Sequence, residues 1–132
     1  MKAILLIEDN ADILENLTEY FQLEGYIIIA TTNGKDGVEL ARRLIPDLII
    51  CDALMPGMDG HKVLQILLGA PETAEIPFIF STSNSEKVDR EEALRMGADE
   101  YIVKPFELEV LLRMAESWMK SGRKTHSIES SA

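Results

Sequence analysis

The stretch Leu48 to Gly60, LIICDALMPGMDG, decides the fold. Four apolar residues, Leu48, Ile49, Ile50 and Cys51, run without alternation into Asp52. Such a run fits a strand buried on both faces, the kind found in a parallel sheet. A carboxylate directly after it stands at the strand's carboxyl end, where open α/β sheets bind their ligands. Pro56, Gly57 and Gly60 then turn the chain away from the sheet. Asp52 is left at the rim, and it is the candidate reactive residue.

Outward from that stretch, apolar runs alternate with amphipathic ones. Ala3 to Ile7 predicts a central strand that ends in Glu8, Asp9 and Asn10, with Asp12 available to cap the next helix. That helix, Ile13 to Leu23, aligns Ile13, Leu17, Tyr20 and Phe21, and Gly25 closes it. Tyr26 to Thr31 predicts a second strand, and Asn33-Gly34 a turn. A helix with Val38, Leu40, Ala41 and Leu44 inward follows, ended by Pro46. After the Pro56–Gly60 turn, residues 63–68 predict a short helix, and Pro71 and Pro77 bracket a loop.

Phe78 to Thr82 predicts a fourth strand ending in a hydroxyl cluster of Ser81, Thr82, Ser83 and Ser85. Glu86 to Met96 predicts a charged helix with a thin seam of Val88, Leu94 and Met96, ended by Gly97. Tyr101 to Val103 predicts the last strand, before Lys104-Pro105-Phe106. Leu108, Leu111, Leu112, Ala115 and Trp118 mark a final helix, and from Ser121 the polar composition predicts no fixed structure. The order βαβαβαβαβα implies a parallel α/β sheet with helices on both faces.

At 132 residues, 46% of them hydrophobic and 27% charged, the chain has the size and balance of one globular domain. Its net charge of −10 repels phosphate backbones, which argues against nucleic-acid contact and suits a divalent cation or a basic partner. Cys51 is expected to be a small core residue rather than a reactive thiol. The first apolar run is too short for a signal peptide, and no stretch approaches the ~20 apolar residues of a membrane span, so the cytoplasm is the expected location.

In a parallel sheet the residues after each strand share one edge. Glu8, Asp9, Asp52, Thr82 and Lys104 therefore converge. Taken singly, each has an ordinary reading as a solvated acid, a turn hydroxyl or a loop lysine. Together they make a site. His61 and His126 are too isolated for ligands and are expected to face solvent, while Met55 and Met58 pack under the turn.

These elements, in this order and spacing, resemble the response-regulator receiver domain of two-component signalling over roughly residues 2–119. The resemblance rests on the acidic pair Glu8-Asp9, the D-x-x-M-P-x-M-D-G pattern at Asp52 to Gly60, Thr82-Ser83, and Tyr101 with Lys104-Pro105-Phe106. It implies a flavodoxin-like doubly wound sheet of five parallel strands in the order 2-1-3-4-5, an order already known for receivers and not one that periodicity supplies. Residues 120–132 would be a tail or the start of a linker.

The resemblance implies that Asp52 is the phosphoacceptor, taking a phosphoryl group from a phosphohistidine of a sensor histidine kinase or a histidine phosphotransfer protein. Asp9, Asp52 and the backbone carbonyl of Leu54 would hold Mg²⁺, with Glu8 acting through water. Lys104 would supply a fixed positive charge. Thr82, favoured over Ser81 by its spacing to Lys104 and by the small Ser83, would be the switch hydroxyl, and Tyr101 the aromatic that turns inward with it. The Lys104-Pro105 bond is expected to be cis. Packing three acids together without metal should raise at least one pKa.

The implied role is a regulatory switch rather than an enzyme, a monomer or phosphorylation-dependent dimer. Its output surface would comprise the helix from Glu86 to Met96, the Tyr101 strand and the last helix. Leu54 would overhang the line of water attack and slow self-dephosphorylation, with Asn84 partly counteracting it. A haloacid-dehalogenase-type phosphohydrolase needs a second Asp where Leu54 stands, and a flavodoxin needs a phosphate loop unlike Glu8-Asp9-Asn10. A receiver reduced to a docking module would not need the full set of acids, Thr and Lys.

Overall fold

The computed structural model describes residues 1–83 and 90–121. Asn84, Ser85, the predicted helix start with Val88, and the tail with His126 lie outside the described residues. The elements are β1 (Ala3–Ile7), α1 (Ala11–Leu23), β2 (Ile27–Thr31), α2 (Gly34–Leu44), β3 (Leu48–Asp52), α3 (Gly60–Leu68), β4 (Phe78–Ser83), α4 (Arg90–Arg95), β5 (Glu100–Lys104) and α5 (Leu108–Ser121). All neighbouring strands pair in parallel, in the order β2-β1-β3-β4-β5.

The alternation of each strand divides the core in two. Leu5, Ile7, Ile49, Cys51, Phe78 and Phe80 face α2, α3 and α4. Ile4, Leu6, Leu48, Ile50, Ile79 and Ile102 face α1 and α5. All five residues of β3 are buried, which is why its sequence lacks polar alternation. Leu17 and Phe21 of α1 and Leu111, Leu112 and Ala115 of α5 bury their predicted faces.

Several local expectations are corrected. Asn10, not Asp12, caps α1, because its Oδ1 accepts the backbone N–H groups of Asp12 and Ile13. Leu44 is exposed rather than inward, since α2 ends there and Ile45 turns left-handed at φ 44°. In α4 the buried contact is Ala93, while Leu94 and, just past the helix, Met96 stand exposed. His61 is only partly exposed and packs against the Phe80 ring at 4.9 Å, because it lies on the first turn of α3 over β4. Met55 is buried and Met58 packs against the core, as expected. No described helix is long and apolar enough to cross a membrane.

Candidate functional site

The sheet brings the expected strand-end residues together on one edge. Asp52 is the last residue of β3, and the chain leaves it through Ala53, whose N–H donates to Ser81 O at 3.0 Å. The following turn closes when Gly60 N–H donates to Ala53 O at 3.0 Å. Gly60 passes so close to the strand that an added Cβ would lie 2.3 Å from Asp52 O. Any side chain there would push α3 off the strand end. Sequence alone marked Gly60 as a turn residue. Its packing role was missed, and its place directly after the cap Asp59 was the available signal.

Glu8, Asp9 and Asp52 offer carboxylate oxygens that all lie within 4.8 Å of one another. Glu8 and Asp52 are buried and Asp9 is exposed. Lys104 Nζ reaches into this cluster, 2.7 Å from Glu8 Oε1 and 3.4 Å from Asp52 Oδ2. Glu8 Oε2 accepts the Asn10 N–H at 3.1 Å. Glu8 Oε1 is thus buried against the ammonium, while Asp52 Oδ1 is buried with no hydrogen-bond partner. The direct Glu8–Lys104 pairing was not visible in the sequence, because the two residues meet only through the strand order.

Burial pushes the Asp52 carboxyl up to about 8, helped by a hydrogen bond shared with Asp9 and by the charge of Glu8, and opposed by Lys104. Burial by itself would lower Lys104, but Glu8 and Asp52 more than offset it and raise its pKa. One acid of the three is thus raised, as packing them together requires. Burial likewise pushes the Cys51 thiol up, which keeps it inert. The buried, partner-less Asp52 oxygen, clustered with the Glu8 and Asp9 carboxylates, fits a hard, oxygen-seeking cation such as Mg²⁺.

Thr82 is fully buried, and its hydroxyl donates to the Tyr101 hydroxyl at 3.3 Å. Thr82 shares the parity of Phe78 and Phe80, toward α2–α4, whereas Ser81 shares that of Ile79, toward α1 and α5. Tyr101 packs partly buried against the same core. Leu54, beside the site, is 50% exposed. The Lys104-Pro105 peptide is cis.

Comparison with known proteins agrees with this geometry. The family described as "Response regulator receiver domain" matches residues 4–116. The chain is 34% identical to the protein PilH of Pseudomonas aeruginosa over 113 residues, covering 86% of this chain and 93% of PilH. It is 39% identical to the transcriptional regulatory protein HprR of Escherichia coli over 127 residues, covering 96% of this chain but 54% of HprR. The chain therefore spans about half the length of that relative. Among solved structures, a signal receiver domain of a histidine kinase from Syntrophus aciditrophicus superposes with a TM-score of 0.84 at 34% identity, covering 92% of each chain. The receiver domain of the sensor histidine kinase PA1611 from Pseudomonas aeruginosa, with a magnesium ion coordinated in its active site cleft, superposes at 0.78 with 29% identity, covering 91% of this chain and 98% of that one. By its fold, its strand-end acids and a family match over most of its length, the chain belongs to the response regulator receiver domains of two-component signalling.

Proposed function

We propose that the protein is a phosphorylation-activated switch with Asp52 as its phosphoacceptor. The observation that carries this reading is the buried Asp52 Oδ1 without a hydrogen-bond partner, set among the Glu8 and Asp9 carboxylates and the Lys104 ammonium. A buried carboxylate without a donor is costly for the fold alone, and a reactive role accounts for it.

Asp52 attacks the phosphorus of a phosphohistidine on a sensor kinase or histidine phosphotransfer protein. A bond forms between a carboxylate oxygen and phosphorus while the phosphorus–nitrogen bond breaks and its electron pair returns to the imidazole. Asp9, Asp52 and the Leu54 carbonyl would hold Mg²⁺, with Glu8 acting through water, and the ion would supply positive charge that favours the ionised Asp52 carboxylate and the incoming phosphoryl group. Lys104, already oriented by Glu8, stabilises the charge on the transferred group.

Thr82 donates to Tyr101 in this structure. With a phosphoryl group on Asp52, that hydroxyl donates to a phosphoryl oxygen instead and gives up its bond to Tyr101. Taking a two-state equilibrium from mostly off to mostly on requires ~5.5 kcal/mol. Hydrogen bonds to a charged group contribute ~1.5–3 kcal/mol each, so Thr82, Lys104 and one further contact suffice. The output then forms on α4, β5 and α5, toward a downstream protein or domain, with dimerisation as one form of response. Residues 1–119 act as the receiver, α5 running two residues further to Ser121, and the polar residues beyond serve as tail or linker. The protein acts in the cytoplasm, where its kinase partner's phosphohistidine is presented.

Incubation with Mg²⁺ and a small phosphodonor, followed by intact-mass analysis, tests this reading. The native chain should gain one phosphoryl group, and Asp52→Asn should gain none while keeping its circular dichroism spectrum. An undiminished mass gain in Asp52→Asn rejects the assignment.

A further inference from the structure

The sheet has two edges, and they are protected differently. β5, with sequence EYIVK, carries a charge at each end, and Glu100 is held there by Arg90 at 3.1 Å. β2, with sequence IIIAT, carries no charge and no proline. Natural edge strands are usually blunted by such residues, because a bare edge offers its backbone to any extended chain.

The hydrogen-bond pattern shows which groups β2 offers. Ile27 N–H donates to Lys2 O at 3.0 Å, and Thr31 O accepts from Glu8 N–H at 3.1 Å. In a parallel ladder the inward-facing residues alternate, so Ile27, Ile29 and Thr31 bond to β1. Ile28 and Ala30 therefore present their N–H and C=O groups outward. Among the described residues no strand pairs with that edge.

Two hollows meet at Ala30, which is exposed. One, of about 450 Å³, lies against α1 and includes Leu14, Glu15 and Glu19. The other, of about 330 Å³, lies against α2 and includes Asp36, Glu39 and Arg43. An added strand sends alternate side chains to opposite faces of the sheet, one set into each hollow. The walls hold four acids against one base, on a chain of net charge −10.

We infer that the β2 edge is a docking site for an extended basic segment of another protein, which adds as a sixth strand with cationic side chains in the two acidic hollows. A second copy of this chain is disfavoured as the occupant. Two-fold pairing would set Glu15, Glu19, Asp36 and Glu39 near their own images. The site is separate from Asp52 and does not depend on phosphorylation.

The probe is the seven-residue peptide Val-Arg-Arg-Val-Arg-Arg-Val, acetylated and amidated, which as a strand sends arginines to both faces, added to the isotope-labelled full chain. Amide exchange at Ile28 and Ala30 should slow at least tenfold, while Ile27, Ile29 and Thr31 are already slow in the free protein. The same peptide N-methylated at alternate amides should give no protection, and neither should one with glutamate in place of arginine. Glu15→Lys with Glu39→Lys should weaken binding at least tenfold, and Ala30→Pro, if it folds, should abolish it. Unchanged exchange at Ile28 and Ala30, equal binding of the N-methylated peptide, or protection that arises from self-association without peptide would each overturn the inference.

Discussion

The two ends of the strands carry the same kind of side chain to opposite outcomes. At the amino ends, Asp47 Oδ2 accepts Ala3 N–H at 2.8 Å and Asp99 Oδ2 accepts Phe78 N–H at 2.8 Å. At the carboxyl ends, Asp52 Oδ1 has no hydrogen-bond partner and Glu8 Oε1 meets the Lys104 ammonium at 2.7 Å. A strand's first residue exposes an N–H that a carboxylate can accept, whereas its last residue exposes a C=O that it cannot. Acids at one end therefore anchor the sheet. The buried acids at the other end face the Lys104 ammonium, and Glu8 takes one backbone donor, the Asn10 N–H.

The largest effect on this contrast should come from the metal side. Asp9→Asn should weaken Mg²⁺ binding by at least about tenfold, the loss that even outer-shell partners cause. Chemical shifts near Asp52 during Mg²⁺ titration measure it, since Trp118 bonds to Glu100 at the opposite end of β5 from Lys104. Unchanged affinity would place Asp9 with the solvated acids.

At the anchoring end, Asp99→Ala should cost about 1.5–3 kcal/mol of stability, the range for a hydrogen bond to a charged group. Phosphoryl uptake by the folded fraction should stay intact. Urea denaturation checks the first and intact mass the second. If uptake fell while stability held, the division of labour between the two ends would be wrong.

A pH series separates the ends through Asp52 itself. Asp52, raised from 3.8 to about 8, holds its proton in the folded chain over a range where the unfolded chain has lost it. The folded state binds more protons there, so metal-free stability should fall as pH rises through that window. Saturating Mg²⁺ should flatten the slope, and Asp52→Asn should remove this contribution. Parallel slopes in native and Asp52→Asn chains would contradict the raised carboxyl.

The smallest effect concerns what stands over the carboxyl edge. Leu54 is half exposed beside Asp52 and can neither orient a water nor shelter one. Leu54→Asn should speed loss of the phosphoryl group several-fold, on the order of 1 kcal/mol of barrier. Decay of the phosphorylated protein in both forms measures it, and equal or slower decay would refute the role.

Much of this was legible along the chain. The apolar run into Asp52, the five alternations of strand and helix, and the acids, hydroxyl and lysine after successive strands are local patterns, because burial on both faces removes polar residues from a strand whatever its neighbours. The strand order came with the family resemblance rather than from periodicity. Tertiary structure decided what depends on which elements meet. It paired Glu8 with Lys104 across the sheet, placed Thr82 rather than Ser81 against Tyr101, left Leu44 in solvent at a helix end, and gave the two anchoring aspartates their strand N–H partners. It also turned the backbone groups of Ile28 and Ala30 outward, on an edge that no strand among the described residues pairs. Periodicity records whether a residue is buried, but a carboxylate's partner, a hydroxyl's face and a strand's edge are set by long-range pairing.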